Sequence, residues 1–197
     1  MAEAADRRRA VALAGHTGDV DTARAHLHDP APVVRSTALA ALARLGAATI
    51  AEVREALGDE EPTVRRRACE VTTAVDGVDA SGLLADPDPR VVEVAAWALG
   101  EKVSVTAEAL DALVSVATGH DDALCREAAV AALGAIGDER GLPAILAATA
   151  DKATVRRRAV ISLAGFSGPG VDAALEAALG DRDWQVRQAA EDLSGTR

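Results

Sequence analysis

The chain has 197 residues, 47 of them alanine and only three aromatic, which excludes an aromatic-rich β-sandwich or barrel and favours an all-α protein of one or two domains. Aspartate and glutamate outnumber lysine and arginine 31 to 21, so the net charge is −10. A charge of this sign repels nucleic acid and anionic membranes unless a local basic surface overrides it.

A dipeptide, usually Val-Arg, recurs along the chain and organises the predicted helices. Its second residue, here called the anchor, occurs six times at intervals of 30, 27, 34, 30 and 31 residues: Arg35, Arg65, Val92, Arg126, Arg156 and Arg187. Alanine follows every anchor three positions later, and apolar or small residues recur at positions −1, +7 and +10. This spacing is the apolar stripe of an α-helix rather than the alternation of a strand. Each anchor therefore lies on a predicted helix, the second helix of its repeat.

Proline and acidic residues mark the beginning of the first three of these second helices. The prolines stand three residues before their anchors, where a first-turn proline loses no needed N–H: Pro32, Pro62 and Pro89. The acidic residues before them suit the cap and the dipole of a helix N-terminus: Asp29, Asp59 and Asp88. We therefore expect these aspartates to cap the helices that follow.

In chain order, the remaining segments predict an N-terminal helix and one first helix for every repeat. The N-terminal helix is expected at about 7–14, and the first helices at 19–27, 50–57, 79–84, 106–118, 142–149 and 171–179, the third of them poorly formed. Two antiparallel helices cannot bury both of their faces alone, so the pairs must stack. The prediction is a single right-handed α-α superhelix over residues 1–197, with an N-terminal cap at 1–18. Its six repeats are expected at about 19–46, 47–77, 78–102, 103–137, 138–167 and 168–197.

The best-formed repeat, from Asp29 to Gly46, reads Asp-x-x-Pro-x-Val-Arg-x-x-Ala-x-x-Ala-Leu-x-x-Leu-Gly. This pattern resembles the HEAT repeat, and its short period resembles the phycobilin-lyase-like subfamily. The resemblance covers about residues 19–197 and implies an α-solenoid. It does not choose a function, because the family includes scaffolds, phycobilin lyase subunits, a diiron hydroxylase that modifies a translation factor and, more distantly, alkylpurine DNA glycosylases.

Five of the six anchors are arginine, and aspartate often stands six residues before an anchor, as Asp29, Asp59, Asp86 and Asp181 do. One hypothesis is an anion-binding track. The favoured one is a structural ladder, in which each arginine makes a bidentate bond to the turn aspartate or a helix terminus of an adjacent repeat. An arginine held in that way has little capacity left for a phosphate.

Positions +1, +5 and +9 after each anchor share one helix face and differ widely between repeats, because packing does not dictate them. In a HEAT-like solenoid the second helices line the concave side, so this stripe is expected to form the floor of a mixed-charge groove. In the last repeat the stripe reads Gln188, Asp192 and Thr196. The candidate groove residues, with two flanking arginines, are Arg66, Arg67, Glu70, Glu93, Trp97, Glu101, Glu127, Arg157, Arg158 and Ile161.

The two tryptophans have distinct expectations. Trp97 is a candidate anchor for a partner, and its alternative is packing beneath a neighbouring helix. Trp184 replaces the first-turn proline or alanine of the other repeats and is expected at the groove edge or shielding the terminal repeat. For the arginine pairs, a solvated helix face is the alternative to a binding role.

No catalytic residue, metal or cofactor is predicted. Cys69 and Cys125 take positions filled mainly by leucine or valine in other repeats, so both are expected to be core thiols. No histidine precedes a glutamate, as the resemblance to the diiron hydroxylase would require, and two imidazoles at His26 and His28 diverge on a helix.

The sequence favours a non-enzymatic scaffold or adaptor that binds a protein or peptide partner in the groove. One alternative is a DNA-binding or alkylpurine DNA glycosylase-like protein, although Glu93, Glu101 and Glu127 interrupt its basic track. The other alternative is a small-molecule-binding or lyase-type HEAT protein, and an enzymatic role stays open.

The remaining expectations concern location and assembly. The apolar stretch at 10–15 is too short for a signal peptide, no apolar run approaches the ~20 residues that span a bilayer, and the two cysteines have no disulfide or metal spacing. We therefore expect a cytoplasmic protein without a membrane or nucleic-acid partner, monomeric or weakly self-associating.

Overall fold

The computed structural model describes residues 2–195, and within them the chain forms twelve α-helices and no strand. The predicted all-α class is confirmed. The helices are α1 (Ala2–Thr17), α2 (Val20–Ala25), α3 (Pro32–Arg44), α4 (Ile50–Leu57), α5 (Pro62–Thr72), α6 (Pro89–Gly100), α7 (Ala107–Gly119), α8 (Ala123–Ile136), α9 (Leu142–Ala148), α10 (Ala153–Ser162), α11 (Pro169–Leu179) and α12 (Trp184–Ser194). Short 3₁₀ segments lie at Ser81–Ala85, Glu139–Gly141 and Leu163–Gly165.

The chain divides into two compact units, Met1–Ala98 and Leu99–Arg197, with the boundary inside α6. In the first unit α3 packs between α1 and α5, while α2 and α4 pair with the second helices that follow them. In the second unit α8, α10 and α12 stack in that order, and α7, α9 and α11 form a parallel row. Within each unit, therefore, second helices pack on second helices, as HEAT-like hairpins require.

The predicted first helices are present, with one weak member. The segment predicted as poorly formed is a 3₁₀ turn at Ser81–Ala85, where Gly82 lowers helix propensity. The N-terminal helix is longer than the predicted 7–14, since α1 runs from Ala2 to Thr17. It also packs against α3 as a second helix would, which the sequence interpretation did not foresee.

Small residues set how closely the second helices approach. The six alanines three residues after the anchors all have no exposed surface: Ala38, Ala68, Ala95, Ala129, Ala159 and Ala190. Glycine near the end of a second helix meets the next second helix: a Cβ at Gly134 would lie 2.5 Å from the Cβ of Ser162, and one at Gly15 would lie 2.8 Å from that of Ala41. These contacts explain why the sequence keeps small side chains there.

Five bidentate ion pairs join α1, α3, α5, α8 and α10 to the turn that precedes the next second helix. In each pair the arginine Nε and Nη2 donate to the two carboxylate oxygens at 2.6–3.0 Å: Arg7–Asp29, Arg35–Asp59, Arg65–Asp86, Arg126–Asp151 and Arg156–Asp181. Nη1 of the last four also donates to a backbone carbonyl in the turn of its own repeat. This set is the arginine–aspartate ladder, and it confirms the structural hypothesis over an anion-binding track for these residues.

The ladder corrects the predicted caps of α3 and α5. The residues directly before these helices are Ala31 and Glu61, and neither makes a side-chain cap bond. Asp29 instead accepts the N–H of Ala31 at 2.9 Å and the guanidinium of Arg7, so its carboxylate stabilises the turn and the preceding helix. Asp88 does act as predicted, because it accepts the N–H of Arg90 at 2.9 Å at the start of α6.

Candidate functional site

The four arginines of the predicted groove have different surroundings. Arg67 donates to Glu70 on the same helix, and Nη2 of Arg158 lies 3.6 Å from Oε1 of Glu127 on α8. The Nε atoms of Arg67 and Arg158 are buried without a hydrogen-bond partner. Arg66 and Arg157 make no ion pair with any residue that the structure describes. Four of the ten predicted groove residues are therefore paired with each other as two ion pairs. The charges of Arg66 and Arg157 are available to a partner.

In the first unit, the other predicted groove residues lie on α5 and α6. Arg66 is half-buried and borders a shallow depression with Thr63 and Arg90. Glu93 is half-buried on α6, and Trp97 is 44% exposed. Glu101, in the second unit directly after α6, is exposed.

A cleft in the second unit lies between α10 and α12. It has a volume of about 430 Å³, and α10 and α12 supply all of its lining: Arg157, Ile161, Trp184, Gln185, Gln188, Ala189, Asp192 and Leu193. We call it the α10–α12 cleft. Arg157 and Gln188 stand at stripe position +1, and Ile161 and Asp192 at position +5, so the structure brings stripe residues of two repeats together here. Thr196, the last member of the predicted stripe, lies outside the described residues.

Trp184 is the main apolar side chain of the α10–α12 cleft. It is the first residue of α12, directly after Asp183, whose side chain accepts the N–H of Gln185 at 2.9 Å and so caps the helix. The indole is 64% exposed, so folding of the described chain buries little of it. Trp184 was predicted at the groove edge or shielding the terminal repeat, and was not among the ten candidate groove residues. Its signal was the replacement of a first-turn proline by a large aromatic residue.

The charged groups around this cleft are unevenly satisfied. Arg156 and Arg158, the neighbours of Arg157 in sequence, bind Asp181 and Glu127. Arg157 is exposed and has no such partner among the described residues. On the opposite wall, Gln188 Nε2 donates to Asp192 Oδ1 at 2.9 Å. The cleft therefore combines the unpaired guanidinium of Arg157 with the apolar side chains of Trp184, Ile161 and Leu193. Such a combination suits binding of a ligand or partner rather than catalysis.

The two cysteine thiols of the described chain are shielded from solvent. Cys69 and Cys125 are buried, as predicted, and burial raises the pKa of the Cys69 thiol to about 12. In residues 2–195, no group of three or more His, Cys, Asp or Glu side chains is placed to hold a metal ion. None of the described helices has the length and apolar character needed to cross a membrane.

The repeat pattern and the ladder agree with the comparison against known families. A family model described as HEAT repeats matches residues 20–81 and 78–164. The chain belongs to the HEAT repeat family. No curated protein matches the chain.

Several solved structures share the HEAT or armadillo fold with this HEAT-repeat protein. The Escherichia coli protein YibA is 19% identical, covers 90% of this chain and 68% of its own, and has a TM-score of 0.70. A designed armadillo repeat protein in complex with the peptide (KR)4 is 18% identical over 94% of this chain and 84% of its own, with a TM-score of 0.52. Human deoxyhypusine hydroxylase is 20% identical over 98% and 79%, with a TM-score of 0.50. At these identities, the likeness establishes the fold alone.

Proposed function

We propose that this HEAT-repeat protein is a non-enzymatic scaffold or adaptor that binds a protein or peptide partner on its second helices. The observation that carries the proposal is the α10–α12 cleft, where residues that vary between repeats meet the exposed Trp184. Tryptophan and arginine are the residue types that most often dominate binding energy at interfaces. The ladder arginines hold the repeats together, so the variable stripe is the surface left for recognition.

The fold supports this class of function. The designed armadillo repeat neighbour is in complex with a peptide, so a stack of this kind can present a peptide-binding surface. The human deoxyhypusine hydroxylase neighbour is an enzyme, but this chain contains no His-Glu dipeptide, which the resemblance to a diiron hydroxylase would require. The proposal therefore follows the binding role.

Finer assignments belong to the same proposal. The repeat period near 30 residues supports placement in the short phycobilin-lyase-like subfamily. We also propose a cytoplasmic location, because the two cysteines are far too few for the disulfide framework of a secreted domain. The repeat boundaries given from the sequence are proposed in the same way.

A partner-capture experiment tests the scaffold role. The double variant Trp97→Ala, Arg157→Glu and the single variant Trp184→Ala are immobilised beside the unchanged protein, and captured proteins are quantified by mass spectrometry. We expect a specific partner to be reduced about tenfold, since an interface anchor contributes on the order of 1.4 kcal/mol or more. Helicity and melting temperature should stay nearly unchanged.

The matched control is Leu13→Ala, which removes an exposed leucine from α1 and leaves the second-helix stripe intact. Capture by this control should equal that of the unchanged protein. If the cleft and groove variants capture as much partner as the unchanged protein does, the second-helix stripe is not the binding surface.

One observation favours a small-molecule role as the second candidate. The volume of the α10–α12 cleft, about 430 Å³, lies within the range of ~300–1,000 Å³ that is typical of ligand sites. A thermal-shift screen of metabolites would reveal such a ligand as a stabilisation that Trp184→Ala abolishes. An absence of any such ligand, together with a captured partner, would decide for the scaffold.

A further inference from the structure

We infer that the α10–α12 cleft binds an acidic peptide segment of a partner protein, in which a carboxylate lies close to an apolar side chain. This inference rests on the proposed scaffold function and specifies the chemistry of its partner. Two features of the cleft carry it, the unpaired cation Arg157 and the exposed indole of Trp184, and the one carboxylate of the cleft, Asp192, is already hydrogen-bonded.

The cation is Arg157, the middle residue of three consecutive arginines. Arg156 bonds Asp181 through two hydrogen bonds of 2.7 and 2.8 Å, and Arg158 lies 3.6 Å from Glu127. Arg157 lines the cleft, is exposed, and has no carboxylate partner among the described residues. A guanidinium in this position is complemented by a carboxylate, which it can bind with two parallel hydrogen bonds.

The apolar part of the cleft requires an apolar side chain on the partner. The other first-turn residues at the position of Trp184 are proline or alanine, so this indole is not required to begin the helix. It is 64% exposed and stands beside Ile161 and Leu193 in the lining of the cleft. An aromatic side chain buries ~150–250 Å² when it is covered, so an apolar residue placed against Trp184 gains substantial binding energy.

The negative group of the cleft does not cancel this preference. Asp192 accepts a hydrogen bond of 2.9 Å from Gln188, so the amide dipole already stabilises its charge. The net charge of −10 opposes the approach of an acidic peptide at long range, but salt screens that repulsion beyond ~10 Å at 0.1 M and affects a direct contact less. The selectivity for a carboxylate is therefore a short-range property of Arg157.

The experiment uses the full chain in a Trp97→Phe background, because Trp184 is then its single tryptophan. The probe is a blocked peptide of alternating glutamate and leucine, and the control peptide has lysine in place of glutamate. Tryptophan emission is recorded during titration at physiological salt. We expect the glutamate–leucine peptide to shift the emission of Trp184 to shorter wavelength with saturation, and the lysine–leucine peptide to bind at least about tenfold more weakly.

A second variant pair assigns the effect to one cation. Arg157→Gln should weaken binding of the glutamate–leucine peptide about tenfold, whereas Arg182→Gln, an exposed arginine outside the cleft lining, should leave it unchanged. Equal loss in both variants would show a non-specific charge effect and overturn the inference.

Two outcomes separate this inference from the proposed function. Preferential binding of the lysine–leucine peptide at Trp184 would overturn the acidic-partner inference and leave the scaffold proposal standing. If neither peptide changes Trp184 emission at about 1 mM, the inference fails, and the partner-capture experiment decides the scaffold proposal independently.

Discussion

At the scale of single residues, the ladder fixes the ionisation of its aspartates. The hydrogen bonds from Arg156 hold the pKa of Asp181 at about 2, well below the usual value of an aspartate, although partial burial acts in the opposite direction. An aspartate with a lowered pKa in the folded state stabilises the fold above its unfolded pKa of ~3.9, and that contribution is lost as pH falls toward 2. Acid should therefore weaken the joint between α10 and the turn before α12.

The change Asp181→Asn tests this joint. We expect it to lower the free energy of unfolding at neutral pH by about 3 kcal/mol, because Arg156 keeps its charge in a buried position without its counter-ion. The variant should also lose less stability than the unchanged protein between about pH 4 and pH 2. Urea unfolding at several pH values measures both effects.

The matched control is Asp76→Asn, an exposed carboxylate of the first unit. It should change stability by less than about 0.5 kcal/mol and leave the pH dependence as it was. The same pH dependence in Asp181→Asn and in the unchanged protein would contradict a stabilising role of the Asp181 carboxylate.

The buried thiol of Cys69 gives a second residue-scale prediction. With its pKa raised to about 12 by burial, on the order of one thiol in 10⁴ is ionised at pH 8, and the thiolate is the reactive form. A disulfide reagent should therefore modify the folded protein far more slowly than the urea-unfolded protein. Fast modification of Cys69 in the folded state, located by peptide mapping, would show that its pocket opens readily.

Some contacts of the candidate site could be predicted from the local sequence, and others could not. The pairing of Arg67 with Glu70 has an available signal, since charges three residues apart on a helix are neighbours. The pairing of Arg158 with Glu127 joins two helices 31 positions apart in sequence, and no local pattern shows it. Trp184 became a site residue only when the structure showed that α10 and α12 line one cleft.

At the scale of helices, close packing depends on glycine at the end of a second helix. Gly134→Ala should lower the free energy of unfolding by about 1–3 kcal/mol, because its Cβ would lie 2.5 Å from the Cβ and 2.9 Å from the Cα of Ser162. The backbone of α8 or α10 must then shift, because rotation of the Ser162 side chain cannot relieve a contact with its Cα. Thermal unfolding followed by circular dichroism measures the loss.

The control for this substitution is Gly119→Ala at the end of α7. No atom lies within 4 Å of a Cβ built at Gly119, so alanine should be neutral or stabilising by up to about 1 kcal/mol. A loss at Gly119 equal to that at Gly134 would mean that helix-end flexibility, rather than close packing, explains the glycine.

The second helix α12 differs from the other second helices at the position four residues after its anchor. Four residues after the anchor, the other five repeats bury a side chain: Leu39, Cys69, Ala96, Val130 and Val160. In α12 this position is Glu191, which is exposed. A polar residue at such a position is typical of capping repeats, whose polar outer faces keep repeat stacks soluble.

The change Glu191→Leu should increase self-association, since it restores an apolar patch at the position that inner repeats use for packing. Sedimentation velocity over a range of concentrations measures the effect. Glu176→Leu, which places a leucine at an exposed position of α11, is the control and should self-associate no more than the unchanged protein. Equal association in both variants would show only the effect of an added surface leucine.

Periodicity predicted the helices well because each one follows a local apolar stripe. The caps predicted at Asp29 and Asp59 were wrong, because these carboxylates bind Arg7 on α1 and Arg35 on α3 instead. Each arginine lies more than 20 residues before its aspartate. The role of α1 as a second helix had a local sign, since Gly15 stands eight residues after Arg7 as Gly134 does after Arg126. Long-range bonds, rather than propensity, account for what was missed.

At the scale of the whole molecule, the net charge disfavours the DNA-binding alternative. With a net charge of −10, and with Arg67 and Arg158 already paired, we expect no binding to duplex DNA at about 0.15 M salt. Filter binding at low and moderate salt measures this. Tight binding that falls steeply with salt, or release of alkylated bases, would favour the glycosylase-like alternative over the scaffold.

The central claim is that the second helices recognise a partner while the ladder and the first helices serve the fold. Hydrogen–deuterium exchange of the protein, alone and with its captured partner, tests this most directly. The account predicts new protection in α10 and α12, centred on residues 157–161 and 184–193, with little change in α7, α9 and α11. Protection confined to the first helices or to the turns of the ladder would contradict it.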